Sequence, residues 1–147
     1  MAAAERARAV TPVLVDTGFL VALYDRREPM HGRCLLVYEA LDCRFITCEA
    51  VVSEALHLLR HAPAAVNGIL ESIEQGILEI PFLLSQCAAP VRALMAKYRD
   101  TPADFADACL IQMADELDTG EILTLDSDFK HYRWRRNRRF HMLIPMD

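Results

Sequence analysis

The stretch Val13–Leu23 reads VLVDTGFLVAL, and its reading decides the fold class. Val13, Leu14 and Val15 close a short β-type run that begins at Thr11. From Thr17 onward the apolar residues are spaced as in a helix. Asp16 stands between the two. A lone carboxylate buried in such surroundings costs several kcal/mol, so the charge must be compensated or the chain must break there. We read a break: a strand ends at Val15, and Asp16 or Thr17 caps the helix that follows.

The same alternation continues along the chain. HGRCLLVYEALD, from His31, predicts a second helix, and CRFIT (Cys43–Thr47) a short buried strand. CEAVVSEALHLLRH places Val51, Ala55, Leu58 and Leu59 on one helical stripe. After Pro63 a further helix runs to Gly76, and ILEIPF alternates like a strand. CAAPVRALMAKYRD predicts another helix. TPADFADACLIQMADELDTG opens on Thr101-Pro102, a sound helix start, and ends at Gly120. EILTL and FHMLI predict two last strands, with DSDFKHYR between them as a short helix or turn. Strands alternating with helices imply a mainly parallel sheet covered on both faces. Right-handed crossovers bring every strand's C-terminal end to one edge, and ligands sit there, where strand order reverses.

A chain of 147 residues is long enough to bury a core as one domain. We take residues 1–147 as that domain, with 1–11 as a short flexible leader. The five cysteines show no paired CxxC spacing, which speaks against a disulfide framework or a structural zinc site and for reduced thiols in the cytoplasm. No run reaches the ~18 apolar residues of a membrane span. Net charge is −5, yet HYRWRRNRRFH holds five arginines within seven positions. The rest of the chain is correspondingly acidic.

The acids fall in a pattern. Asp16 and Asp126 both follow strands, so they share one sheet edge. Asp107 lies in the first turns of its helix, with Asp104 three residues earlier on a neighbouring face. Glu54 interrupts an apolar helical pattern. Carboxylates drawn together repel, and some would hold protons; a divalent cation removes that conflict. Hard Mg²⁺ or Mn²⁺ takes carboxylate and water ligands. Such a site can deprotonate water and stabilise an in-line phosphodiester displacement.

LVDTGFLVAL, SEALHLL, ADFADACLIQMADE and ILTLDSDFKHYR together resemble the four acidic motifs of the PIN-domain ribonucleases, and most closely the VapC-type toxins of bacterial toxin–antitoxin pairs. The resemblance spans about Val13 to Ile144. It implies a three-layer α/β/α sandwich with a parallel sheet and Mg²⁺- or Mn²⁺-dependent cleavage of RNA. It matches Asp16, Glu54, Asp107 and Asp126 to the catalytic metal ligands, Asp128 to an outer member, and Thr17 and Thr124 to hydroxyls that orient the cluster; Asp104 is a further candidate ligand. It also implies an antitoxin partner and a homodimer. Where the family often has Ser after the first Asp-Thr, this chain has Gly18.

Each residue also has a plainer reading. Asp16 alone could be a cap, Glu54 a solvated position, Asp104 and Asp107 first-turn acids favoured by the helix dipole, and Asp126 and Asp128 turn residues. The constellation favours function for Asp16, Glu54, Asp107 and Asp126, while Asp104 and Asp128 are balanced. Arg133, Arg135, Arg136, Arg138 and Arg139 are candidate RNA contacts, with a solvated loop or the docking of an acidic antitoxin segment as rivals. Trp134 could stack on a base, although packing is its commoner use. His57 and His61, four apart, lack the glutamate of a zinc motif. A non-catalytic RNA- or partner-binding module is the alternative to an enzyme. A phosphoacceptor protein would need a late lysine in the cleft, and only Lys130 is available.

Overall fold

In the computed structural model, residues 10–100 and 103–145 are described. The expected leader therefore falls outside them, except for Val10 and Thr11. The chain runs β1 (Pro12–Val15), α1 (Thr17–Tyr24), α2 (His31–Ala40), β2 (Arg44–Ile46), α3 (Glu49–Leu58), α4 (Pro63–Glu74), β3 (Leu78–Glu79), α5 (Ala88–Lys97), α6 (Phe105–Leu117) and β4 (Glu121–Leu123). It ends with β5 (Arg133–Trp134), β6 (Arg138–Arg139) and β7 (His141–Met142). Short 3₁₀ turns cover Leu84–Gln86 and Ser127–Lys130.

Five strands form a sheet in the order β3-β2-β1-β4-β7, and every pairing is parallel. The apolar runs Val13–Val15 and Ile122–Leu123 lie side by side at its centre, with Leu14 opposite Ile122 and Val15 opposite Leu123. Strand order grows from β1 through β2 to β3, then returns to the other side of β1. The switch point lies between the C-terminal ends of β1 and β4, the position where open α/β sheets bind ligands. Right-handed crossovers put α1 to α4 on one face and α5 and α6 on the other. In keeping with that, α1 packs on α2, α3 and α4, and α5 packs on α6. Every residue of α6 from Ala106 to Ala114 is buried, as expected of a helix that is apolar nearly all round.

Three sequence expectations change. ILEIPF forms only the two residues of β3, because this edge strand pairs with β2 alone and Pro81 brings no N–H. Helix α6 starts at Phe105 instead of after Thr101-Pro102, a dipeptide that lies outside the described residues. Its N-cap is Asp104, whose Oδ1 accepts the Asp107 N–H at 2.8 Å. Asp104 therefore precedes the helix and does not occupy one of its faces. The helix ends on Asp118, in the left-handed conformation at φ 54°, not at Gly120.

The arginine-rich segment is an antiparallel hairpin of β5 and β6, not a loop. Trp134 anchors it, buried, with Nε1 donating to the Arg139 carbonyl at 3.1 Å. The indole lies against Gly120, where a Cβ would come within 2.2 Å of Nε1. Only glycine leaves room there.

Candidate metal centre

The centre is built at the switch point. The Asp16 N–H donates to the Leu123 carbonyl at 3.0 Å, extending the β1–β4 pairing by one residue. The side chain then turns back as the cap of α1, with Oδ1 accepting the Thr17 N–H at 2.8 Å. Oδ2 accepts the Thr124 hydroxyl proton at 2.7 Å. The same Thr124 Oγ1 accepts the Asp126 N–H at 3.0 Å, so one hydroxyl fixes both strand-end acids. Asp126 in turn accepts the Asp128 N–H at 2.9 Å and caps the 3₁₀ turn. From the opposite side α6 presents Asp107, whose Oδ2 accepts the Tyr132 phenol proton at 3.1 Å.

Asp16, Asp107 and Asp126 each offer a carboxylate oxygen, and these oxygens lie within 4.8 Å of one another. A cleft of about 270 Å³ opens over them, lined also by Glu54, Asp104, Thr17 and Gly18. Thr17 Oγ1 donates to Glu54 Oε2 at 3.3 Å, tying α3 to the start of α1.

Burial and mutual repulsion show in the acidities. Asp16 is 6 % exposed, and burial pushes its carboxyl up to about 6 despite the Thr124 and Thr17 hydrogen bonds, with Asp126 and Asp104 adding repulsion. Asp107 is pushed up to about 7 by burial first and then by the charges of Asp104 and Asp16. Near neutral pH the bare cleft therefore holds a proton that a cation would replace. The donors are all carboxylate oxygens, the set that hard Mg²⁺ and Mn²⁺ prefer, so the residues fit such an ion.

A profile of the PIN domain matches residues 13–135. The chain belongs to the PIN-domain family. Its likeness within that family is to VapC-type members. It is 28 % identical over 120 residues to Ribonuclease VapC26 of Mycobacterium tuberculosis strain H37Rv, covering 78 % of this chain and 86 % of that protein. The crystal structure of Mycobacterium tuberculosis VapC20, described as a sarcin–ricin loop cleaving toxin, superposes with a TM-score of 0.73. That match is 19 % identical and covers 86 % of this chain and 98 % of the other, which places the fold as PIN-like: a mostly parallel sheet flanked by helices.

The remaining sequence candidates are distributed unevenly around this PIN cleft. Glu54 and Asp104 line it together with the three central acids. Asp128 contributes its backbone N–H to Asp126 and is not among the residues lining the cleft. Lys130 is exposed and does not line it either. At Gly18 a Cβ would meet Leu125 Cβ at 3.8 Å, an ordinary contact, so the position is open to a serine and simply lacks its hydroxyl. His61 Nε2 lies 3.7 Å from Asp25 Oδ2, and His57 is exposed on α3. His31 has a structural role, its Nδ1–H donating to the Ala22 carbonyl near the end of α1 at 2.8 Å.

Two contributors were not anticipated. Tyr132, fully buried between Phe129 and Tyr98, orients Asp107, and nothing in its local sequence marks it. The capping role of Asp104 did carry a signal, because an acid three residues after a cap-type residue resembles a capping box. The Thr-Pro upstream obscured it.

None of the five arginines lines the cleft. Arg135 pairs with Asp118 Oδ1 at 2.8 Å, and its N–H donates to Asp115, both at the C-terminal end of α6. That end is ~16 Å along the helix from Asp107, at 1.5 Å per residue. The hairpin turn is thus tied to the end of α6 far from the acids.

Proposed function

We propose that the protein is a Mg²⁺- or Mn²⁺-dependent endoribonuclease that acts as a toxin held in check by a cognate protein antitoxin. The observation that carries this reading is the convergence of the Asp16, Asp107 and Asp126 carboxylates at the β1–β4 switch point of a PIN-domain chain. Its likeness to a ribonuclease and to a sarcin–ricin loop cleaving toxin supports the substrate class and the toxin role. The antitoxin and a homodimeric state rest on resemblance to VapC-type proteins. Among the described residues no helix is long and apolar enough to cross a membrane; we place the protein in the cytoplasm.

Asp16, Asp107 and Asp126 would hold the ion, with Glu54 and Asp104 at the rim. A bound divalent ion supplies water activation and neutralises the charge that builds on the phosphodiester during in-line displacement. The protein's own residues supply order. Thr124 ties the Asp16 carboxylate to the Asp126 backbone, Tyr132 aims Asp107, and Thr17 holds Glu54 against α1. These hydrogen bonds fix the acids before any ion or substrate arrives, which is how supporting partners sharpen a metal site. No serine, cysteine or histidine nucleophile is required.

The test is Asp16→Asn. The amide keeps a cap for the Thr17 N–H and a partner for Thr124, so the fold should persist. RNA cleavage in Mg²⁺ or Mn²⁺ should disappear. A folded Asp16→Asn protein that cleaves RNA at the native rate would refute the assignment.

A further inference from the structure

We infer that the β5–β6 hairpin is a second RNA-binding site, an anchor for phosphates several nucleotides away from the bond that is cut. The inference rests on the ribonuclease reading above and adds to it a requirement on the length of the RNA.

From Phe129 to Arg139 the chain carries Lys130 and five arginines without one acid, in a protein of net charge −5. The segment leaves the cleft at Asp126, passes Tyr132, and ends in the hairpin turn. Arg133 is spent locally, its guanidinium donating to the Lys130 and Tyr132 carbonyls. Arg135 is held by Asp118. Arg138 lies over the Trp134 ring at 5.1 Å, with Asp118 a distant 3.9 Å away. Arg136 and Arg139 are exposed, and neither side chain has an acidic partner among the described residues. These two are free to meet an external anion.

The turn itself suits this use. Arg135 and Arg136 sit at φ 43° and 74°, in the left-handed region where glycine or asparagine is sterically at ease. Arginines at the tip are held there by the hairpin's anchoring at Trp134 and Asp118, and their charge projects from a rigid element. A polyanion matches the surface, and the anion in this reaction is the RNA backbone. The cleft repels that backbone through its own acids, so attraction supplied elsewhere on the molecule compensates. The hairpin turn is anchored at Asp118, ~16 Å along α6 from Asp107. At ~3.4 Å per stacked nucleotide the strand must extend ~5 nucleotides from the cut to reach it.

The test uses the full chain in EDTA, so that cleavage does not enter, and a fluorescein-labelled single-stranded RNA of about 30 nucleotides. Fluorescence anisotropy is read across a salt series for the native protein, Arg136→Gln/Arg139→Gln, and Arg136→Lys/Arg139→Lys. Losing two phosphate contacts should lower the log–log salt slope by ~1.4 and weaken binding about tenfold. The lysine variant should keep the native slope, and the unchanged Trp134 emission should report an intact hairpin. Equal affinity and slope for the native and glutamine proteins on the long RNA would overturn the inference and turn attention to an acidic protein segment as the hairpin's partner. Loss of cleavage chemistry is read separately by Asp16→Asn, so failure of one reading does not imitate failure of the other.

Discussion

Replacing Asp107 with Asn should stabilise the metal-free protein while abolishing its activity. Asp107 is 6 % exposed, and its carboxyl rises from 3.8 to about 7 on folding. A raised carboxyl binds its proton more tightly folded than unfolded, so stability falls as pH climbs from about 4 to 7 and stays low above that. At 1.36 kcal/mol per pKa unit the ionised side chain costs the fold ~4 kcal/mol at pH 8. Asn removes that charge and can still accept the Tyr132 proton, but it buries an amide N–H₂ in need of a partner, at ~1–2 kcal/mol. The net gain is ~2 kcal/mol, or ~4–8 °C in Tm for a chain of this size. Thermal melts in EDTA at pH 8 and pH 4 measure it. The variant should melt higher at pH 8 and, with both groups neutral, slightly lower at pH 4, by the ~1–2 kcal/mol of the unpartnered amide. Added Mn²⁺ should raise Tm of the native protein alone. An Asn variant that melts below the native protein in EDTA by as much at pH 8 as at pH 4 would refute the reasoning, because burial of that charge would then cost nothing.

Cleavage at limiting metal should lose rate as pH falls from 7 to 6, since Asp107 and then Asp16, raised to about 7 and about 6, take up protons in place of the ion. Tyr132→Phe deletes the hydrogen bond that lowers the Asp107 value, so the acid limb should move to higher pH; an unmoved limb would show that the phenol does not act on Asp107. Gly120→Ala forces a Cβ to 2.2 Å from Trp134 Nε1 and should cost ~1–3 kcal/mol by overpacking. Trp134 is the single tryptophan, so displacement should appear as a red-shifted emission, and native emission with native Tm would contradict the packing described.

Much of this molecule is written locally. Val13–Val15 followed by Asp16 determines a strand, a break and a capped helix, because β-branched residues, a short polar acceptor and helical spacing act within a few residues. Repetition of that unit fixes a parallel sheet, and the sheet fixes which edge collects Asp16 and Asp126. The tertiary structure alone decided what depends on distant partners. The length of β3 followed from its edge position, and the start of α6 from Asp104 meeting Asp107. Tyr132 reached Asp107 only through packing against Phe129 and Tyr98. The arginine cluster was visible as charge in VLVDTGFLVAL's acidic chain, but its hairpin form required Gly120 to admit Trp134, and its distance from the cleft followed from the length of α6. Charge and periodicity are properties of neighbours in sequence; acidity shifts, hydrogen-bond partners and separations across the fold are set by neighbours in space.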